Sequence, residues 1–167
     1  MAIDCEFPTE EEEKMSAQAM KIESFLSPSD VVVDLRASDK VALLRDLSQR
    51  AGRRAHVSAD AIFAELSRRE ALGSTGIGGG VAIPHTRLAG ITKPIALAAR
   101  LRPAINYDAI DGRLVDLTFL LLLPPDTTTD NLNALAAISR KLRDRDVVDK
   151  LRNSSDAGVF FNVLTAA

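Results

Sequence analysis

Of the two histidines in this 167-residue chain, His85 stands at the end of the stretch "GSTGIGGGVAIPHTR", residues 73–87. A neutral imidazole is a competent nucleophile near pH 7, because its unperturbed pKa is about 6.5. Five glycines fall within eight residues just before it. Glycine lets the main chain approach a ligand closely and adopt positive φ, and successive N–H groups in such a turn can form an anion-binding nest. Ser74 and Thr75 add hydroxyl donors, with Gly76 and Gly78 supplying backbone. Pro84 fixes its own φ and keeps Ile83 extended, so His85 is presented at a strand end. Phosphoryl transfer asks a protein chiefly to position groups and stabilise charge. The chemistry suggested is a histidine that accepts a phosphoryl group whose oxygens rest on backbone N–H. A flexible loop with a surface histidine is the plainer alternative, and residue types alone leave both open.

Other glycine motifs do not fit. A P-loop needs a lysine and a preceding strand, the dinucleotide pattern has Val81 or Ile83 where its third glycine should be, and no G-x-S-x-G elbow exists. Two histidines about thirty residues apart make a poor zinc site, and no metal is expected. His56 is expected in a surface or capping role. Asp108, Asp111 and Asp116 resemble a carboxylate cluster, but their context favours loop and turn duty.

The elements that must position His85 follow from periodicity. "VVVDL" (31–35) is a β-branched strand. Ser38-Asp39 caps a helix with Val41, Leu44, Leu47 and Ala51 at helical spacing. Ser58 starts a second helix carrying Ile62, Phe63 and Leu66 and running to about Leu72. After the glycines, "VAIPH" (81–85), "PIALAARL" (94–101), "INYDA" (105–109) and "VDLTFLLLLP" (115–124) are strand candidates, with turns at Ala89-Gly90 and Asp111-Gly112. The last is apolar almost without alternation, which predicts burial on both faces. Helices return at about 130–143 (Leu132, Leu135, Leu142), 144–153 and 155–165 (Val159, Phe160, Val163). The expectation is an α/β fold: one three-layer domain, a mixed β-sheet flanked by helices on both faces.

Composition sets the outer limits. Hydrophobic residues make up 46% and charged residues 26%, with net charge −2, which argues against a nucleic-acid partner. Local arginine clusters (Arg50, Arg53 and Arg54; Arg68 and Arg69; Arg140 to Arg145) leave room for an acidic protein partner. One cysteine, Cys5, excludes a disulfide within the chain. The N-terminus has no signal-peptide pattern and the longest apolar run is too short to span a bilayer, so a cytoplasmic protein without membrane insertion is expected. Residues 1–19 are expected to be an acidic, solvated leader, and 20–167 the folded domain.

The residues then take on a familiar form. "RREALGSTGIGGGVAIPH", followed by "AIDGRLVDLTFLLLLPPD", resembles the enzyme IIA proteins of the bacterial phosphoenolpyruvate-dependent phosphotransferase system, fructose/mannitol type, and most of all their nitrogen-regulatory branch. The resemblance covers roughly residues 20–165. It implies the mannitol-type enzyme IIA fold, His85 as phosphoacceptor, no cofactor, and an HPr-type phosphocarrier protein as donor. Nitrogen-branch members regulate other proteins, such as transporters and sensor kinases, through their phosphorylation state; sugar-branch members pass the group to an enzyme IIB. Arg69 matches a family arginine near the acceptor, where it would neutralise phosphate or receive an acidic partner; a solvated helix arginine is the alternative. Asn131 stands where members commonly carry a second histidine, with Asn133 two residues on. Asparagine can donate a hydrogen bond to phosphate but cannot become a cation, which implies weakened or slower transfer. Thr86 and Gly79 replace a frequent glycine and a common asparagine. A binding module of the same fold without phosphorylation, and a freestanding sugar-branch carrier, are the alternatives.

Overall fold

The computed structural model describes residues 20–126 and 129–167; the expected leader and Cys5 lie outside the described residues. Val31–Leu35 forms β1. The helix α1 (Lys40–Ala55) starts where the Asp39 carboxylate accepts the Ala42 N–H at 2.8 Å. Ser58 caps α2 (Ala59–Ala71) in the same way. Both caps satisfy amide donors that the first helical turn leaves without partners. His56 ends α1 in the left-handed conformation, φ 55°.

The strands that follow are β2 (Gly76–Gly78), β3 (Val81–Ala82), β4 (His85–Arg87), β5 (Ile95–Ile105) and β6 (Val115–Leu123). The sheet order is β1-β5-β6-β3-β2, with β4 also paired to β6. β1 is parallel to β5, β5 is antiparallel to β6, and β3 and β4 both run parallel to β6. The sheet is mixed, as the strand-rich middle of the sequence implies. Three helices close the chain: α3 (Thr129–Lys141), α4 (Arg145–Arg152) and α5 (Ala157–Thr165).

β6 explains the layering. Leu117, Phe119 and Leu121 point into a core with Ile138 of α3, Leu151 of α4 and Phe160 of α5. Leu120 and Leu122 point the other way, against Leu43 and Leu47 of α1 and Ile62 and Leu66 of α2. Both faces are covered because alternate residues of a strand face opposite sides and here both sets are apolar. Each such leucine contributes about 1.5–3 kcal/mol by burial. The result is the expected three layers.

Several local expectations are corrected. "VAIPH" is two short strands along one edge of β6, interrupted at Ile83 and Pro84. Of "INYDA", only Ile105 belongs to a strand; residues 106–109 are a loop in which Asp108 takes φ 56°. The helical stripe of α1 runs through Leu43 rather than Val41, which is 58% exposed. The glycines, expected as a turn cradling an anion or as a flexible loop, include the strand β2, paired antiparallel with β3.

Candidate functional site

His85 is the first residue of β4, paired with Leu121 near the carboxyl end of β6. Its main chain is pinned on both sides. The Leu121 N–H donates to the Pro84 carbonyl at 2.9 Å, and the Leu88 N–H to the Leu123 carbonyl at 2.9 Å. The imidazole is half-buried, and its Nδ1 lies 2.8 Å from the Ile83 carbonyl oxygen. A carbonyl can only accept, so Nδ1 carries the proton. In the neutral ring Nε2 then keeps its lone pair.

His85 borders a cavity of about 430 Å³. The last turns of α2 contribute Arg68, Arg69 and Leu72, the start of α3 contributes Asn131, Leu132 and Leu135, and β4 contributes Thr86 and Arg87. His85 and Arg87 are two residues apart and share one face of the strand. Arg68 pairs with Glu65 at 2.7 Å. Arg69 donates to the Gly73 carbonyl at 3.0 Å, and neither it nor Arg87 forms an ion pair among the described residues. Two uncommitted guanidinium charges therefore flank the imidazole. Leu72, 84% exposed, and Leu132, 66% exposed, form an apolar rim.

Asn131 reaches this cavity but its amide is already engaged. Nδ2 donates to the Pro124 carbonyl at 3.0 Å and the Asp126 carbonyl at 2.7 Å, with the Asp126 carboxylate at 3.3 Å. The residue is 2% exposed, and its Oδ1 finds no partner among the described residues. The side chain clamps the connection between β6 and α3. Its remaining free atom is an acceptor, which repels a phosphate oxygen rather than binding it.

The other expected phosphate ligands do not line this cavity. Thr75 is buried, and both its N–H and its hydroxyl donate to Glu70. The Glu70 carboxylate also accepts from the Tyr107 hydroxyl at 3.1 Å and pairs with Lys40 at 2.6 Å. Burial raises the Tyr107 pKa far above its usual value, with the Glu70 charge acting in the same direction against the Thr75 hydrogen bond, so the hydroxyl stays a donor. Ser74 donates to the Tyr107 carbonyl at 3.2 Å and accepts the Gly76 N–H at 3.1 Å. A side chain at Gly76 would meet the Ala109 backbone at 2.8 Å. Gly78 lies at the other end of the sheet, against Asp111. The structure thus brings His85, Arg69 and Asn131 together and leaves Ser74, Thr75, Gly76 and Gly78 out.

Of the carboxylates expected in turns, Asp111 accepts from the N–H groups of Gly79 and Arg113, and Asp116 instead pairs with Arg152 at 2.8 Å. Among the described residues no group of three or more His, Cys, Asp or Glu side chains could hold a metal, and no helix is long and apolar enough to cross a membrane. Arg87 is the cavity residue that sequence reasoning missed, although its spacing from His85 on one strand was a usable signal.

Comparison with known proteins shows the family and the fold. Residues 24–167 match the family model described as "Phosphoenolpyruvate-dependent sugar phosphotransferase system, EIIA 2". A nitrogen regulatory protein of Bradyrhizobium diazoefficiens is 41% identical over 145 residues, covering 87% of this chain and 95% of the relative. A nitrogen regulatory protein of Pseudomonas aeruginosa is 36% identical over 146 residues, covering 87% and 95%. The crystal structure of nitrogen regulatory protein IIA-Ntr from Neisseria meningitidis superimposes with a TM-score of 0.82 at 34% identity, over 86% of this chain and 99% of that one. The mannitol IIA of Escherichia coli shares the fold, with a TM-score of 0.70 at 14% identity over 83% and 98%.

Proposed function

Since the chain belongs to the EIIA 2 family of the phosphoenolpyruvate-dependent sugar phosphotransferase system, we propose that it is a phosphohistidine carrier and regulator of the nitrogen branch, with His85 as the phosphoacceptor. The observation that carries the assignment of the reacting atom is the hydrogen bond from Nδ1 to the Ile83 carbonyl. It leaves Nε2 as the nucleophile. The Nε2 lone pair attacks phosphorus on the phosphohistidine of an HPr-type carrier; the new N–P bond forms as the carrier's N–P bond breaks, and the carrier's imidazole departs with that electron pair. The positive charge left on the His85 ring is shared with Nδ1–H and the Ile83 carbonyl.

Arg69 and Arg87 stabilise the charge on the transferring oxygens, because guanidinium forks match phosphate geometry and these two pair with no carboxylate among the described residues. The apolar rim of Leu72 and Leu132 gives the carrier a surface to exclude water. Asn131 acts as a brace for the loop beside the site rather than as a phosphate ligand. Residues 20–167 form the working domain, cytoplasmic like its phosphate source, and the phosphorylated and free forms are read by target proteins such as a transporter or a sensor kinase.

The test is to incubate the protein with phosphoenolpyruvate, enzyme I and the HPr-type carrier, and to measure intact mass. The expected result is an acid-labile adduct of one phosphoryl group, absent from His85→Ala. No adduct, under conditions that label a control enzyme IIA, refutes the reading. It would favour instead a binding module without phosphotransfer, for which the engaged amide of Asn131 is the supporting observation.

A further inference from the structure

A second cavity, of about 510 Å³, lies between the β2–β3 turn, the segment entering β6 and the corner between α3 and α4. It shares no lining residue with the His85 cavity. Val81, in its wall, pairs with Leu117, whereas His85 pairs with Leu121, so the two cavities stand about 13 Å apart along β6. The size falls in the range of small-molecule sites.

The lining charge is one-sided. Arg113, Arg143, Arg145 and Arg152 face a single carboxylate, Asp149, in a chain whose net charge is −2. Arg152 is held rigid: its guanidinium grips Asp116 at 2.8 and 2.9 Å and also donates to the Gly79 carbonyl. Asp149 lies 4.0 Å from Arg152. Arg143 and Arg145 form no ion pair among the described residues. Asp144, between them in sequence, is occupied in capping α4 through the N–H groups of Asp146 and Val147. Asp111, beside Arg113, is occupied by two backbone N–H groups. Three guanidinium groups from two separate segments therefore line one concavity, Arg113 beside the charge of Asp111, and Arg143 and Arg145 without an ion pair among the described residues.

Gathering like charges costs energy unless an anion neutralises them, and guanidinium forks fit phosphate oxygens bidentately. We propose that this cavity binds a compact phosphate-bearing anion, either free or on a nucleotide. With Arg152 neutralised by Asp116, Arg113, Arg143 and Arg145 stand against Asp149, an excess of two positive charges that a phosphate group offsets. The site is independent of the phosphoacceptor reading and would stand if that reading failed.

Calorimetric titration of the full chain with sodium pyrophosphate, and separately with ADP, tests this at fixed ionic strength without divalent metal. Saturable binding at one site is expected, weakened about tenfold or more in Arg143→Ser/Arg145→Ser and unchanged in His85→Ala. Tighter ADP binding assigns the nucleotide form, and tighter pyrophosphate binding the free form. Amide chemical-shift changes at Gly78 and Gly79 locate the ligand even if the double variant folds poorly. The proposal is overturned by absence of saturable heat, by equal binding to the double variant, or by loss of binding in His85→Ala. Binding of a poly-glutamate peptide without binding of pyrophosphate would also overturn it, and would mark the face as a docking surface for acidic protein.

Discussion

The two halves of residues 73–87 are neighbours in sequence, yet they serve opposite ends of β6. The glycine half builds the β2–β3 hairpin at the amino end, where Gly80, at φ 82°, sits against the Arg152–Asp116 pair. The histidine half runs along the carboxyl end, where Arg69 and Arg87 border the His85 cavity without carboxylate partners among the described residues. At one end the backbone is fitted tightly and its polar groups are satisfied from within. At the other, arginine side chains stand beside a half-buried histidine. Glycine richness beside His85 is here a matter of architecture, and the proposed chemistry falls to side chains brought in from α2 and β4.

Substitutions at the two ends should separate rate from stability. Arg69→Ala removes one charge-assisted contact to the transferring group, worth about 1.5–3 kcal/mol, so single-turnover labelling should slow by about 10- to 100-fold while the urea midpoint barely moves. An unchanged rate would leave the neutralising role to Arg87. Gly76→Ala is the mirror case. Its new methyl would press on the Ala109 backbone, costing about 1–3 kcal/mol, seen as a lower urea midpoint, with the labelling rate per folded molecule preserved. A rate loss in fully folded Gly76→Ala would break the contrast and return the glycines to the site.

Asn131→His probes the boundary between the two roles. Removing the amide leaves the Pro124 and Asp126 carbonyls short of a donor, so stability should fall by about 1–2 kcal/mol even if a new cation speeds labelling. A gain in both would show that the clamp is dispensable. The smallest effect is expected at Asp111. The N–H groups of Gly79 and Arg113 hold its pKa below the ordinary 3.8. A carboxyl depressed in the folded state stabilises above its unfolded pKa, and that contribution is lost as pH falls through the folded value. Urea midpoints measured from pH 6 downward should therefore show a shallower acid decline in Asp111→Asn than in the parent.

Much of the frame was legible in the sequence because its signals are local. Asp39 and Ser58 marked helix starts by a chemistry that needs no tertiary partner, and β6 declared its two buried faces by lacking polar alternation. The misses arose where distant contacts overrode local pattern. Ile105, Tyr107 and Ala109 are all buried, which imitates a strand, yet the chain there follows a loop braced by Glu70 and Thr75. Gly76–Gly78 has poor strand propensity but pairs because β3 lies beside it. His85 was read from residue types and spacing, whereas Arg69 and Asn131 were singled out only through the family resemblance. The engagement of Thr75 with Glu70, and of Asn131 with the Asp126 carbonyl, depended on where a turn closes in space, which no periodicity records.

The carbonyl that receives the His85 Nδ1–H belongs to the amide joining Ile83 to Pro84, a linkage with no hydrogen of its own. The choice between the two ring nitrogens is thus written in main chain and not in any side chain. Exchanging the residue at position 83 alters its bulk but leaves its carbonyl in place. Regiochemistry at the imidazole is in this way sheltered from most single mutations, whereas the charge surrounding it, carried by arginines, is open to change one codon at a time.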